Sequence, residues 1–416
     1  MHLTRRKFLQ LSGGAALAWG AVPLWLRPGI AAVEAAATDS RPGRKLLLVL
    51  LAGGNDGLNT VIPFGSPDYY TARPTIAYKP DRVLHLAGNP AVGLHPNLVN
   101  TAGLFQRGQV AIIQGVGYDR PELSHSSSMD VWHTGSPTHA MATGWLGRWL
   151  DQTPDKGSVL RAVAIGTSLP PALVGERDSG VAVPSLGGFT FADGADTDPK
   201  SEARRRHDQY LATMSALDGG PAAAAFAAAA QRTVAAVRSV NGLGSGTQSP
   251  ATLADQVDLA MTLLGSNLGV HVAMVTLGSF DDHSAEERSH PALLKQFDDA
   301  VGRFRDRLAK TSDAEDYLLL TFSEFGRRVA ESGSGGTDHG SAAPMFAIGP
   351  RVAGGLHGQQ PSLNPARLDA DGNMVRAVEL REVYATVLDR WLGGADSRDV
   401  LRYSSSSGLH PISFLR

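Results

Sequence analysis

Cysteine is absent from all 416 residues, which excludes disulfides and thiolate chemistry and leaves His, Asp, Glu and Asn to hold any metal. A basic excess is missing too. Lys and Arg number 38 against 40 Asp and Glu, a balance that argues against a nucleic-acid partner. Beyond residue 44 no uninterrupted apolar stretch comes near the roughly 20 residues that a membrane-spanning helix needs. The remaining mixture of apolar and charged residues is that of an ordinary globular chain, so a soluble mature protein with no stable membrane span is expected.

What is present begins at the N-terminus. Arg5-Arg6, then Phe8 and Leu9, then an uncharged, apolar-rich run over 11–26 read as an export signal of the twin-arginine type. Gly13, Gly14, Gly20 and Pro23 break the run, Arg27-Pro28 closes it, and Ala35-Ala36-Ala37 offers small residues to a signal peptidase. The expectation is a leader over 1–37, the twin-arginine translocase as a transient partner, and a periplasmic or extracellular destination. An uncleaved N-terminal anchor is the alternative. Removing Arg5, Arg6, Lys7, Arg27 and Glu34 with the leader takes the formal charge from -2 to -5. The route carries folded proteins, which directs the search toward a metal or other cofactor site.

Apolar runs of strand length alternate with segments of helical period, the pattern of an α/β sheet covered by helices on both faces. Strands are predicted at 46–51, 110–114, 159–165, 270–277, 317–322 and 345–348, and their continuous hydrophobicity suits burial on both faces. Helices are predicted at 98–107, 203–217, 222–240, 253–268, 292–308 and 380–392. Ala222 to Ala230 is low in complexity but strongly helix-forming, with Pro221 where a first turn tolerates it. The Gly/Ser/Pro stretch 241–250 reads as a long loop. Residues 38–416 are therefore expected to form one α/β domain with a helical and Gly/Ser-rich insertion around 199–250.

Three acidic clusters fall beyond three of the predicted strands, where the loops of a parallel sheet form a ligand crevice. Thr337-Asp338-His339-Gly340 follows strand 317–322 through Ser323-Glu324-Phe325-Gly326 and a Gly/Ser stretch. Phe280-Asp281-Asp282-His283 follows strand 270–277, and Asp56 follows the first strand within Gly53-Gly54-Asn55-Asp56-Gly57. Any one of them reads equally as a turn or helix cap. Carboxylates and imidazoles at several strand ends, however, are costly to bury without a compensating cation. Oxygen and imidazole donors suit a divalent metal: Zn, Mn, Mg or Ca. His133 and His139 read as helix-surface or loop histidines, and His95, His290 and Glu324 as structural or supporting residues.

The chain resembles a family of twin-arginine-exported bacterial proteins that carries a domain-of-unknown-function label and lies within the alkaline phosphatase and sulfatase superfamily. The matching blocks are 52–60, Leu94-His95-Pro96, Ser124-His125, Gly144-Trp145-Leu146-Gly147-Arg148, 280–283, Ser323-Glu324-Phe325-Gly326-Arg327 and 336–340. The resemblance implies a three-layer αβα sandwich with a mostly parallel central sheet, alkaline phosphatase-like, and a two-metal hydrolase of phosphate or sulfate esters. It further implies metal ligands at Asp56, Asp281, His283, Asp338 and His339, with His357 as a final histidine. The superfamily's nucleophile slot, counted back from Thr134-Gly135, falls on His125 and not on a serine, with Ser126 among the flanking serines. Either a neighbouring serine such as Ser126 attacks, or His125 acts as ligand or nucleophile, or the covalent step is lost. The expected function is an exported metal-dependent hydrolase acting on a small-molecule or glycan ester. The alternative is a non-catalytic envelope or glycan-binding protein that retains the fold.

Overall fold

The computed structural model describes residues 43–137, 141–154, 158, 160–189, 200–216, 233–244 and 246–416. The expected leader, the alanine-rich segment 222–230 and His139 lie outside the described residues.

The centre is a nine-stranded mixed sheet. Its strands are β1 (Lys45–Leu51), β2 (Val110–Gly117), β3 (Ala162–Ile165), β4 (Val181–Val183), β5 (Val272–Leu277), β6 (Tyr317–Phe322), β9 (Ala343–Ile348), β10 (Gly355–His357) and β11 (Val378–Glu379), while β7 (Gly326–Glu331) and β8 (Thr337–Gly340) form a separate antiparallel hairpin. The spatial order is β10-β2-β9-β6-β1-β5-β3-β4, with β11 also pairing β2. Only β9 runs against its neighbours β2 and β6. Each of the six predicted strands overlaps a strand of this sheet.

Alternation along β1 divides the core. Leu47, Val49 and Leu51 point to one face and pack with α1 (Val99–Gln106), α4 (Leu253–Leu264) and α5 (Glu286–Leu308). Leu46, Leu48 and Leu50 point to the other face, toward α2 (His125–Thr134), α3 (Trp145–Gln152) and α6 (Leu380–Val387). Both faces being covered explains why β1 reads as an unbroken apolar run and not as an alternating one. The three-layer α/β architecture expected from the sequence is the one observed.

Two differences from expectation bear on the site. Helix α5 begins six residues before the predicted 292, with Pro291 inside it. Glu286 and Glu287 favour the positive end of the helix dipole, and Glu286 N–H donates to the Gly335 carbonyl at 2.9 Å. These contacts set the start ahead of the proline. The segment Thr337–Gly340, expected in a loop, is a strand, because Ser332 to Gly336 closes a turn that folds it back on β7. Among the described residues, no helix is long and apolar enough to cross a membrane.

Candidate metal centre

The strands β1, β2, β5 and β6 are mutually parallel, β2 being related to β6 through the antiparallel β9. Their carboxyl ends therefore open on one edge of the sheet. From this edge rise the loop after β1, helix α2 after β2, residues 278–285 after β5, and the β7–β8 hairpin after β6. The loops touch closely. A Cβ on Gly53, whose φ is +116°, would lie 2.6 Å from the Asp281 nitrogen, so only glycine lets the first loop approach the third.

Arg327 ties this edge together from beneath. Its buried guanidinium donates to the carbonyls of Gly53, Gly54, Phe280 and Thr337, and to Asp281 Oδ1 at 2.8 Å. Burial raises the Asp281 carboxyl, but Arg327 and His339 outweigh it and hold the group well below the ordinary carboxylate range. Asp281 is therefore an anion facing solvent on one side and a fixed cation on the other.

Three imidazoles surround that anion. His339 Nε2 and His283 Nε2 each lie 3.0 Å from Asp281 Oδ1 and 3.0 Å from each other. His125 Nε2 lies 3.4 Å from Asp281 Oδ2. The second nitrogen of every ring meets a group that can only accept: His339 Nδ1 meets the Leu123 carbonyl at 2.7 Å, His283 Nδ1 meets Asp338 Oδ1 at 3.2 Å, and His125 Nδ1 meets Glu324 Oε1 at 2.9 Å. In the tautomer that donates from Nδ1 to these partners, each ring keeps its Nε2 lone pair free for a cation. In that tautomer the Nε2 atoms and the Asp281 carboxylate form a cluster of acceptors that a cation would hold together. The ligand atoms of His125, Asp281 and His339 lie within 4.8 Å of one another. The 3.0 Å separations among His283, His339 and Asp281 approach the roughly 3.3 Å spacing of ligands around a tetrahedral zinc with bonds of about 2.0–2.1 Å. The donor set fits a metal.

Other expected site residues lie elsewhere. Asp56 is buried, caps Leu58 N–H at 3.2 Å, and commits both oxygens to Arg73. Burial raises its carboxyl, but Arg73 prevails and holds it low. A buried guanidinium 17 residues away in sequence already supplies the compensating charge, so the structure does not gather Asp56 into the cluster. Asp338 and His339 do not point to the same place. Consecutive residues on β8 face opposite sides, so His339 reaches the cluster while Asp338 meets the far nitrogen of His283. His357 sits on edge strand β10 and donates Nε2–H to the Ala353 carbonyl at 2.7 Å, well apart from these loops in the topology. The Ser126 hydroxyl is exposed and pairs with Ser124 Oγ at 3.1 Å. His133 is not on a helix surface: it is buried against Phe322, and burial lowers it to about 4.

Glu324 and Arg327 are participants whose part in the site the sequence left unassigned. Their signal was a carboxylate and a guanidinium placed within five residues of the mostly apolar Leu318-Leu319-Leu320-Thr321-Phe322, where burial demands partners. Glu324, only 2% exposed, also accepts from Gly53 N–H at 2.8 Å.

Comparison with known proteins gives matches of two kinds. The C-terminal periplasmic domain of EcEptC from Escherichia coli is 9% identical, with 90% of this chain and 88% of that one covered at a TM-score of 0.39. The alkaline phosphatase of the Antarctic bacterium TAB5 is 12% identical over 74% of this chain and 92% of that one, at 0.33. The PsFucS1 sulfatase from Pseudoalteromonas sp. is 12% identical over 88% and 68%, at 0.36. No curated protein matches the sequence. The family model for DUF1501, described as a protein of unknown function, matches residues 112–403, and the chain belongs to that family.

Proposed function

We propose that the chain is an exported hydrolase that holds one divalent cation on Asp281, His283 and His339 and cleaves a phosphate, sulfate or related ester outside the inner membrane. The observation that carries this reading is the convergence of imidazole Nε2 atoms on one ionised carboxylate. The Arg5-Arg6 leader motivates export. Imidazole-rich ligation favours Zn or Mn over Mg or Ca among the metals considered. With Asp56 committed to Arg73, one cation is expected where the family resemblance implied two.

When bound, such a cation supplies Lewis acidity and lowers the pKa of water. The chain's own residues prepare its place. Arg327 fixes the Asp281 carboxylate, the Leu123 carbonyl and Asp338 set the tautomers of His339 and His283, and Glu324 does so for His125. Supporting partners of this kind orient ligands and raise their basicity.

A second reading, a non-catalytic envelope or glycan-binding protein, draws on Ser126. Its hydroxyl contacts another serine and no base, and an unassisted serine is a weak nucleophile. The test is metal analysis of the folded exported protein together with turnover of p-nitrophenyl phosphate and p-nitrophenyl sulfate. Stoichiometric metal and turnover, both lost in His283→Ala and His339→Ala, support the hydrolase. Metal without turnover supports the binding protein, and a metal-free wild type refutes the site itself.

A further inference from the structure

We infer that Asp281 Oδ1, His283 Nε2 and His339 Nε2 form one face of an octahedron, so that the site holds a six-coordinate iron(II) ion with neighbouring positions open to an outside ligand. This rests on the metal-site reading above and adds the coordination number, the ion and the form of ligand it takes.

The three atoms form a triangle whose sides are all 3.0 Å. With bonds of about 2.1 Å, atoms so placed subtend roughly 90° at the ion, the angle between neighbouring ligands in octahedral geometry. A tetrahedral zinc would spread the same atoms to about 3.3 Å. The carboxylate is set to bind through one oxygen. Arg327 donates to Asp281 Oδ1 at 2.8 Å and leaves that oxygen a second lone pair, while Oδ2 lies 3.4 Å from His125 Nε2.

Neighbouring groups hold the triangle in place. The hydroxyls of Ser332 and Ser334 donate to the His283 carbonyl at 3.2 and 2.6 Å, and Asp338 meets the far nitrogen of the ring. The His339 ring lies 4.2 Å from that of Phe325, with its Nδ1 on the Leu123 carbonyl at 2.7 Å. Asp282, between the two ligands of the loop after β5, is buried and accepts from the Ser289 hydroxyl. Ligands fixed in this way keep their spacing before an ion arrives.

Two imidazoles and one carboxylate on a single face, with further positions open, is the donor set of non-haem iron(II). Manganese(II) fits the same geometry but binds such donors more weakly. The side chains of Asp281 and His283 are each 45% exposed, so the opposite face is reachable from solvent. His125 can take one of the three remaining positions through Nε2, and two neighbouring ones are then still open. Two oxygens of one oxoanion, as in a phosphate or sulfate ester, suit such a pair.

The experiment strips the purified folded protein with a chelator and loads it with cobalt(II), whose visible absorption is weak when six-coordinate and intense when tetrahedral. One equivalent with the weak spectrum is expected, unchanged in His125→Asn. The same protein loaded with iron(II) without oxygen and exposed to nitric oxide should give the half-integer-spin EPR signal of an iron–nitrosyl, and iron(II) should be retained over equimolar manganese(II). Intense cobalt absorption that weakens in His125→Asn would overturn the inference, making His125 the fourth ligand of a closed tetrahedral site. So would bound iron(II) that gives no nitrosyl signal, or retention of manganese(II) over iron(II). If the stripped protein takes up none of cobalt, iron, manganese or zinc, the metal-site reading itself has failed.

Discussion

Two groups of acidic and imidazole side chains stand at the same edge of the sheet, and they solve the same electrostatic problem in opposite ways. Around Asp56 everything is buried and internally paired. Arg73 takes both carboxylate oxygens, Glu286 accepts from Asn59 at 2.9 Å and Thr337 at 3.0 Å, and His290 donates to Asn55 at 2.9 Å. Around Asp281 the groups are partly exposed, and the three rings turn their Nε2 atoms inward. An aspartate beyond a strand therefore indicates a place where charge must be matched. Whether protein or ligand matches it depends on the neighbours.

That contrast can be broken at either end. The largest effect is expected from His339→Ala or His283→Ala, which should lower metal affinity by more than about a hundredfold, since even supporting residues account for 10–100-fold, while leaving unfolding stability of the metal-free protein little changed. Titration with Zn followed by denaturant melts separates the two. Arg73→Met should do the reverse. It leaves Asp56 buried without its cation and should cost about 3–5 kcal/mol in urea denaturation, with the affinity of the folded fraction for metal retained.

A smaller effect is expected from Glu286→Gln. Burial, and then the neighbouring Asp56 charge, push the Glu286 carboxyl up. A group raised in this way contributes stability fully below its ordinary value and loses it as pH rises toward the folded value. Wild type should thus weaken between about pH 5 and 9, whereas the Gln variant stays flatter and is more stable at pH 8 by on the order of 2 kcal/mol. Asp56, whose carboxyl is lowered, acts with the opposite sign, and its contribution is lost only as pH falls below the ordinary carboxylate range. Urea midpoints across pH would show both arms. The smallest effect is expected from Asp338→Ala, about tenfold in metal affinity, because Asp338 supports His283 from behind.

The sheet was readable because its strands are buried on both faces and so are written as uninterrupted apolar runs, as in Leu46 to Leu51. The β7–β8 hairpin was not, since Arg327, Arg328 and Glu331 interrupt its pattern and its pairing slips at a bulge. At the site, Asp281, His283 and His339 could be named from their placement after strands, and His125 from the superfamily resemblance. Their partners could not. Glu324 meets His125 across 199 residues and Arg327 meets Asp281 across 46, and periodicity carries no record of such pairings. Asp56 shows the same limit from the other side: its position after β1 suggested a ligand, and Arg73 occupies the role a metal would have filled.

The most direct measurement is the metal content of the purified folded protein, by elemental analysis per chain, compared with Asp281→Asn prepared identically. One equivalent of a divalent cation in wild type and none in the variant is the expected result. A metal-free wild type, or full retention in the variant, would contradict the account of the Asp281 cluster as a cation site.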